Sequence, residues 1–206
     1  MLKKLIVVTG LWLVSNSANA SQIVRLQVEQ HADVYHVYVE MNIDAPAERV
    51  REILTDYEGL QRLSQTITSS RVIDSADNRA VRVLTRFEKC VLFFCMSLHK
   101  VEDISEDLDG RLIVSMVPDA SSFRSGQSSW EVQSTINGSR VIHQASLEPD
   151  IRLPAWMGRS IMKNTLRQEI EESFENLECL SRKECQAQPE VHPAQEQDLD
   201  DDIWDS

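Results

Sequence analysis

The sequence predicts an α+β fold, a curved antiparallel β-sheet covered by one long C-terminal α-helix, and three observations predict it. Segments of strand character follow one another from residue 66 to residue 147, joined by connections too short to hold crossover helices. Two short helical stretches lie between residues 44 and 65, directly after the first strand. Beyond Leu153 the apolar period lengthens from two residues to three and four, and it stays so as far as Leu180. A curved sheet needs a cover for its concave face, and this last element is the only one large enough to provide it.

The elements are justified in chain order. "MLKKLIVVTGLWLVSNSANA" has a basic start at Lys3 and Lys4, an apolar run of about ten residues, and a small-residue ending at Ala18-Asn19-Ala20. That order is a cleavable secretory signal peptide over residues 1–20, the run being short of the ~20 residues that a membrane span needs. The expected address is therefore periplasmic or secreted. Residues 21–33 are expected to be an N-terminal extension, and residues 34–185 the folded domain.

"VYHVYVEMNI" (34–43) alternates as a strand does. In "DAPAERVREILTDYEGLQRLS", Asp44 and Pro46 supply a helix start, Val50, Ile53 and Leu54 recur at helical spacing, and Leu60 and Leu63 resume after the break at Tyr57–Gly59. Six strand segments follow: 66–74, 79–89, 95–104, 111–117, 125–135 and 139–147. "SADN", "EDLDG" and "ING" supply turn chemistry between some of them. On the last helix Met162, Leu166, Ile170, Phe174 and Leu177 form one apolar stripe, opposite Arg167, Glu171, Glu172 and Glu175.

Residues 186–206 have two prolines, seven acids and no Lys or Arg, the composition of an acidic disordered tail. The net charge of the whole chain is −12. Without the leader and the tail the remainder is still acidic and carries no basic run, which argues against nucleic acid and against electrostatic docking on anionic lipid.

Four cysteines, Cys90, Cys95, Cys179 and Cys185, fall in a chain expected to meet an oxidising compartment, where pairing is the default. Three connectivities are open, and the short separations favour the two local pairs. A hairpin closed by Cys90 opposite Cys95 puts Arg82 across from Asp103, Leu84 from Val101 and Phe87 from Leu98. Sliding the register by one residue breaks all these matches together. In the same register Val83 faces Glu102 and Thr85 faces Lys100 on the mainly apolar side. Lys100 and Glu102 either orient a ligand in a cavity or reach water at a bulge or sheet edge. The stretch between the cysteines, Val91, Leu92, Phe93 and Phe94, either packs on the body or forms an exposed apolar tip for a membrane or partner.

Catalytic signatures are absent. The sequence has no glycine-rich phosphate loop, no HExxH and no GxSxG. Its five histidines are scattered, so neither a metal site nor a cofactor motif can be assigned, and no residue is nominated as catalytic.

"DAPAERVREILTDYEGLQRLSQTITSSRVID" and "SSWEVQSTINGSRVIHQASLEPDIRLPAWMGRSIMKNTLRQEIEESFENLE" resemble the START-like superfamily, which includes polyketide cyclases, coenzyme-Q-binding proteins and pollen-allergen-type lipid carriers. The first carries the helical pair and basic-apolar strand of that pattern, the second its tryptophan strand and the turn into the closing helix. The resemblance spans roughly 34–180. It implies a helix-grip fold with a hydrophobic cavity between sheet and helix, holding a lipid, an isoprenoid quinone or another apolar small molecule. Some such members catalyse cyclisation or dehydration in the cavity. Candidate lining residues are Val83, Phe87, Leu98, Lys100, Glu102, Trp130, Val132, Met162, Leu166, Ile170 and Phe174. The leading expectation is a binding or carrier module. A cyclase-like enzyme using the same cavity and a protein-interaction module are the alternatives.

Overall fold

The computed structural model describes residues 22–74, 80–91, 94–150 and 159–183. The signal peptide expected at 1–20, the acidic tail at 186–206, Cys185, Leu92 and Phe93 lie outside them.

Eight strands form one antiparallel sheet. β1 is Gln22–His31, β2 Val34–Ile43, β3 Ile67–Asp74, β4 Ala80–Val91, β5 Phe94–Glu106, β6 Leu112–Met116, β7 Phe123–Thr135 and β8 Gly138–Pro149. The spatial order is β1-β2-β8-β7-β6-β5-β4-β3. From β3 to β8 the chain is a meander of neighbours, and β2 closes against β8 rather than β3. The link from β2 to β3 must therefore cross the whole sheet. It does so through helix α1, Ala47–Leu54, and a 3-10 turn at Tyr57–Arg62.

One expected boundary moves. Residues 21–33, read from the sequence as an extension, supply strand β1 of the sheet. Leu26 faces Val39 and Val28 faces Val37, and Val28 is buried. The alternation of Leu26 and Val28 with Arg25, Gln27 and Glu29 is strand patterning. The second short helix is a 3-10 turn rather than a full α-helix. The closing helix α2 runs Arg159–Arg182, and residues 153–158 of its expected start lie outside the described residues.

Alternation decides which side chains enter the core. On β2, Val37, Val39, Met41 and Ile43 are buried while their neighbours are part-buried or exposed. Val141 on β8 lies opposite Met41. Val50, Ile53 and Leu54 of α1 and Phe174 and Leu177 of α2 complete this cluster. A smaller cluster of Val83, Ile104 and Val114 sits further along the same face, beneath Tyr57 and Trp130. At the β7–β8 hairpin Gly138 has φ +135°, and a Cβ there would stand 2.2 Å from the Ile43 carbonyl oxygen, so no other residue fits without a shift of backbone.

The β4–β5 hairpin has the register expected from its cysteines. Arg82 pairs with Asp103, Leu84 with Val101, Thr85 with Lys100, Phe87 with Leu98 and Cys90 with Cys95. Cys90 and Cys95 form a disulfide. Cys179 on α2 is also disulfide-bonded. Val91 and Phe94 continue the ladder, so only Leu92 and Phe93 remain between the strands. On the opposite face Arg82 holds Asp103 through two hydrogen bonds of 2.7 and 2.8 Å, and this pairing keeps the Asp103 carboxyl below its usual range.

Candidate functional site

The concave face of the sheet divides into two regions. Toward β1 and β2 it is filled: α2 makes its main approaches to α1, β1 and β2, and Leu166, Ile170, Phe174 and Leu177 pack there with the larger core cluster. Toward β4 and β5 the face is only partly covered. Phe87, Leu98 and Met96 are part-buried, as is Met162 on α2. Val83 beside them is sealed in the smaller cluster, and Phe174 is sealed in the larger one. Trp130 touches both clusters, and Val132 joins the larger.

Polar groups stand in this second region. Lys100 and Glu102, two residues apart on β5 and hence on one face, form an ion pair of 2.9 Å with side chains 25% and 13% exposed. Thr85, the cross-strand partner of Lys100, is buried, so the pair stands on the core face of the hairpin. The Lys100 ammonium also lies over the Phe87 ring, 5.2 Å from its centroid. Tyr57 closes the floor of the region. Burial, and secondarily the charge of Glu106, push its hydroxyl pKa above the ordinary tyrosine value.

Sequence reasoning passed over one further polar residue on the concave face. His143 on β8 pairs with Trp130 on β7, and their rings stack with centroids 3.8 Å apart. Phe174 stacks on the same Trp130 at 5.6 Å and lies 6.4 Å from His143, forming an aromatic wall between the filled and open regions. His143 Nδ1 lies 3.1 Å from the Ser129 carbonyl. A carbonyl only accepts, so Nδ1 carries the proton and Nε2 presents a lone pair. Burial, with the Lys100 charge adding to it against the Ser129 bond, pulls the His143 pKa down to about 4. The signal was available in the sequence: Val141, His143 and Ala145 alternate onto the core face of β8.

Glu169 fixes the helix over this region. It accepts hydrogen bonds from Ser64 at 3.1 Å and Thr66 at 2.8 Å, and it pairs with Lys89 of β4. Asn176 donates to the Leu63 carbonyl at 3.0 Å. The segment before β3 is thereby clamped to α2. Elsewhere, an open groove of about 510 Å³ runs across β2, β8, β7 and β6, where His36, Val37, Tyr38, Val114, Ser128 and Ala145 are among its lining residues. Among the described residues no His, Cys, Asp and Glu cluster could hold a metal ion, and no helix is long and apolar enough to cross a membrane.

An antiparallel sheet wrapped on a long C-terminal helix defines a helix-grip protein. Residues 35–182 match the family model described as polyketide cyclase / dehydrase and lipid transport, and the chain belongs to that family. Solved structures share the fold. A Thermus thermophilus protein has a TM-score of 0.58 at 20% identity, covering 73% of this chain and 99% of its own. A Streptomyces aromatase/cyclase has 0.58 at 11%, covering 75% and 97%. A STAR-related lipid transfer protein from Xanthomonas axonopodis has 0.53 at 16%, covering 77% and 97%. No curated protein matches the sequence.

Proposed function

We propose that this chain is an exported binding or carrier protein for an apolar small molecule, a lipid or an isoprenoid quinone, held between β4–β5 and the first half of α2. The observation that carries this reading is the unequal filling of the concave face. One end is packed with aliphatic and aromatic side chains, while at the other Phe87, Leu98 and Met162 keep accessible surface around a half-buried ion pair. Apolar walls with a few convergent polar groups are the make-up of a small-molecule site. The family description, which includes lipid transport, points the same way. The leader at residues 1–20 and the disulfides support export.

A cyclase-like reaction is the second reading, supported by the polar groups of Lys100, Glu102 and His143 on the concave face. A histidine held near pKa 4 is a weak base at neutral pH, which favours recognition over proton abstraction. Mass spectrometry of the protein isolated from its own cell envelope tests the carrier reading. It predicts a co-extracted lipid or quinone; a clean apo spectrum together with no thermal shift from any lipid offered would overturn it.

A further inference from the structure

We infer that the bound molecule is a neutral amphiphile whose polar end carries a hydroxyl, and that His143 Nε2 receives the hydrogen bond from that hydroxyl. This rests on the cavity reading above and narrows it to a chemical class.

The geometry leaves one function for Nε2. Its ring is held on both sides of the problem: Trp130 stacks on it at 3.8 Å, and Nδ1 is committed to the Ser129 carbonyl at 3.1 Å. The ring can therefore neither turn nor exchange tautomers without losing a buried hydrogen bond. Nε2 has no hydrogen-bond partner among the described residues, yet it is not one of the buried polar atoms left without one, which are Gln30 Oε1, Arg49 Nε, Ser139 Oγ and Arg140 Nε. The ring is part-buried on the core face of β8, beside Trp130 and Phe174. An acceptor left free on that face wants a donor from whatever fills it.

The charges nearby set the sign of the ligand. Lys100 would attract a carboxylate or phosphate, but Glu102 pairs with it at 2.9 Å and is the less exposed of the two. An anionic head would have to displace Glu102 and leave that carboxylate buried without its partner, which costs more than the exchange returns. A neutral hydroxyl meets no such penalty. It can donate to His143 Nε2. An ether, ester or quinone carbonyl can only accept, so it leaves Nε2 empty.

The test displaces a neutral fluorescent probe, N-phenyl-1-naphthylamine, from the purified protein with 1-dodecanol, dodecyl methyl ether and dodecanoate. The alcohol is expected to displace it at about tenfold lower concentration than the ether, the worth of one buried hydrogen bond. Dodecanoate is expected to be the weakest of the three. In His143→Phe, which keeps a ring on Trp130 but has no acceptor, the alcohol should fall to the level of the ether while the ether is unchanged. His143→Asn, which preserves a donor to the Ser129 carbonyl and removes Nε2, should behave alike if the phenylalanine variant does not fold. Equal displacement by alcohol and ether on the native protein overturns the hydroxyl inference and leaves the cavity standing. Dodecanoate outcompeting the alcohol overturns it in favour of an anion site at Lys100. Failure of the probe and all three compounds to bind removes the cavity reading, and this inference with it.

Discussion

A half-buried histidine beside a lysine stays neutral because two costs act together: the charged ring would lose its water and would face a like charge. The consequence is a pH dependence of stability. An unfolded histidine protonates near 6.5 whereas His143 in the fold does so near 4, so between these values the unfolded state binds more protons. Stability from this group is complete above about pH 6.5 and is lost as pH falls toward 4, by an amount of order 3 kcal/mol. Urea denaturation at several pH values should record that slope in the native protein. In His143→Phe the slope between 6.5 and 4 should shrink to what the acidic groups contribute, among them Asp103 and Asp107, which Arg82 and Arg111 hold low. An unchanged slope would mean that His143 titrates in water. The register argument put Lys100 and Glu102 on the mainly apolar side and left open whether they reach water. His143 was not, because a scattered histidine becomes meaningful only once its strand is known to lie beside the one carrying Trp130.

Strands and helices differed in how much of them could be read. The β4–β5 hairpin was legible pair by pair because a period of two leaves no freedom: once Cys90 faces Cys95, every later partner follows. β1 was harder. Its turn into β2 is Ala32–Asp33, with Ala32 at φ +54° and no Asn-Gly or Asp-Gly signal to announce a hairpin. The long helix was legible from its stripe, but one polar position beside that stripe was not read. Glu169, seven residues after Met162 and three after Leu166, lies on the same side of the helix and meets Ser64, Thr66 and Lys89. Glu169→Ala should therefore raise amide exchange in the first half of α2 and in residues 64–66, and cost about 1–3 kcal/mol. Exchange confined to the helix terminus, with stability unchanged, would show that the clamp holds nothing.

At the scale of the whole molecule, the sheet order explains which end of one face becomes the core. Because β2 pairs with β8, the first and last strands of the sheet's sequence share one end, and α1 and α2 are both drawn there to bury Val39, Met41 and Val141. The other end, β3 to β5, lies further from the main contacts of that helix. No local pattern encodes that division, since apolar residues alternate along both ends alike. Two substitutions separate the ends. Phe174→Ala empties a position that is 2% exposed and should cost about 3–5 kcal/mol, as deletions from a filled core do. Leu98→Trp adds a ring at a part-buried position facing Phe87 across the hairpin. In open space the added bulk should change stability by less than about 1 kcal/mol, below the ~1–3 kcal/mol that overpacking a filled core costs. It should at the same time abolish binding of N-phenyl-1-naphthylamine. Thermal denaturation and probe titration of both variants read the two quantities side by side. If Leu98→Trp destabilises the fold as strongly as Phe174→Ala, the β4–β5 end is packed shut and offers no room for a ligand.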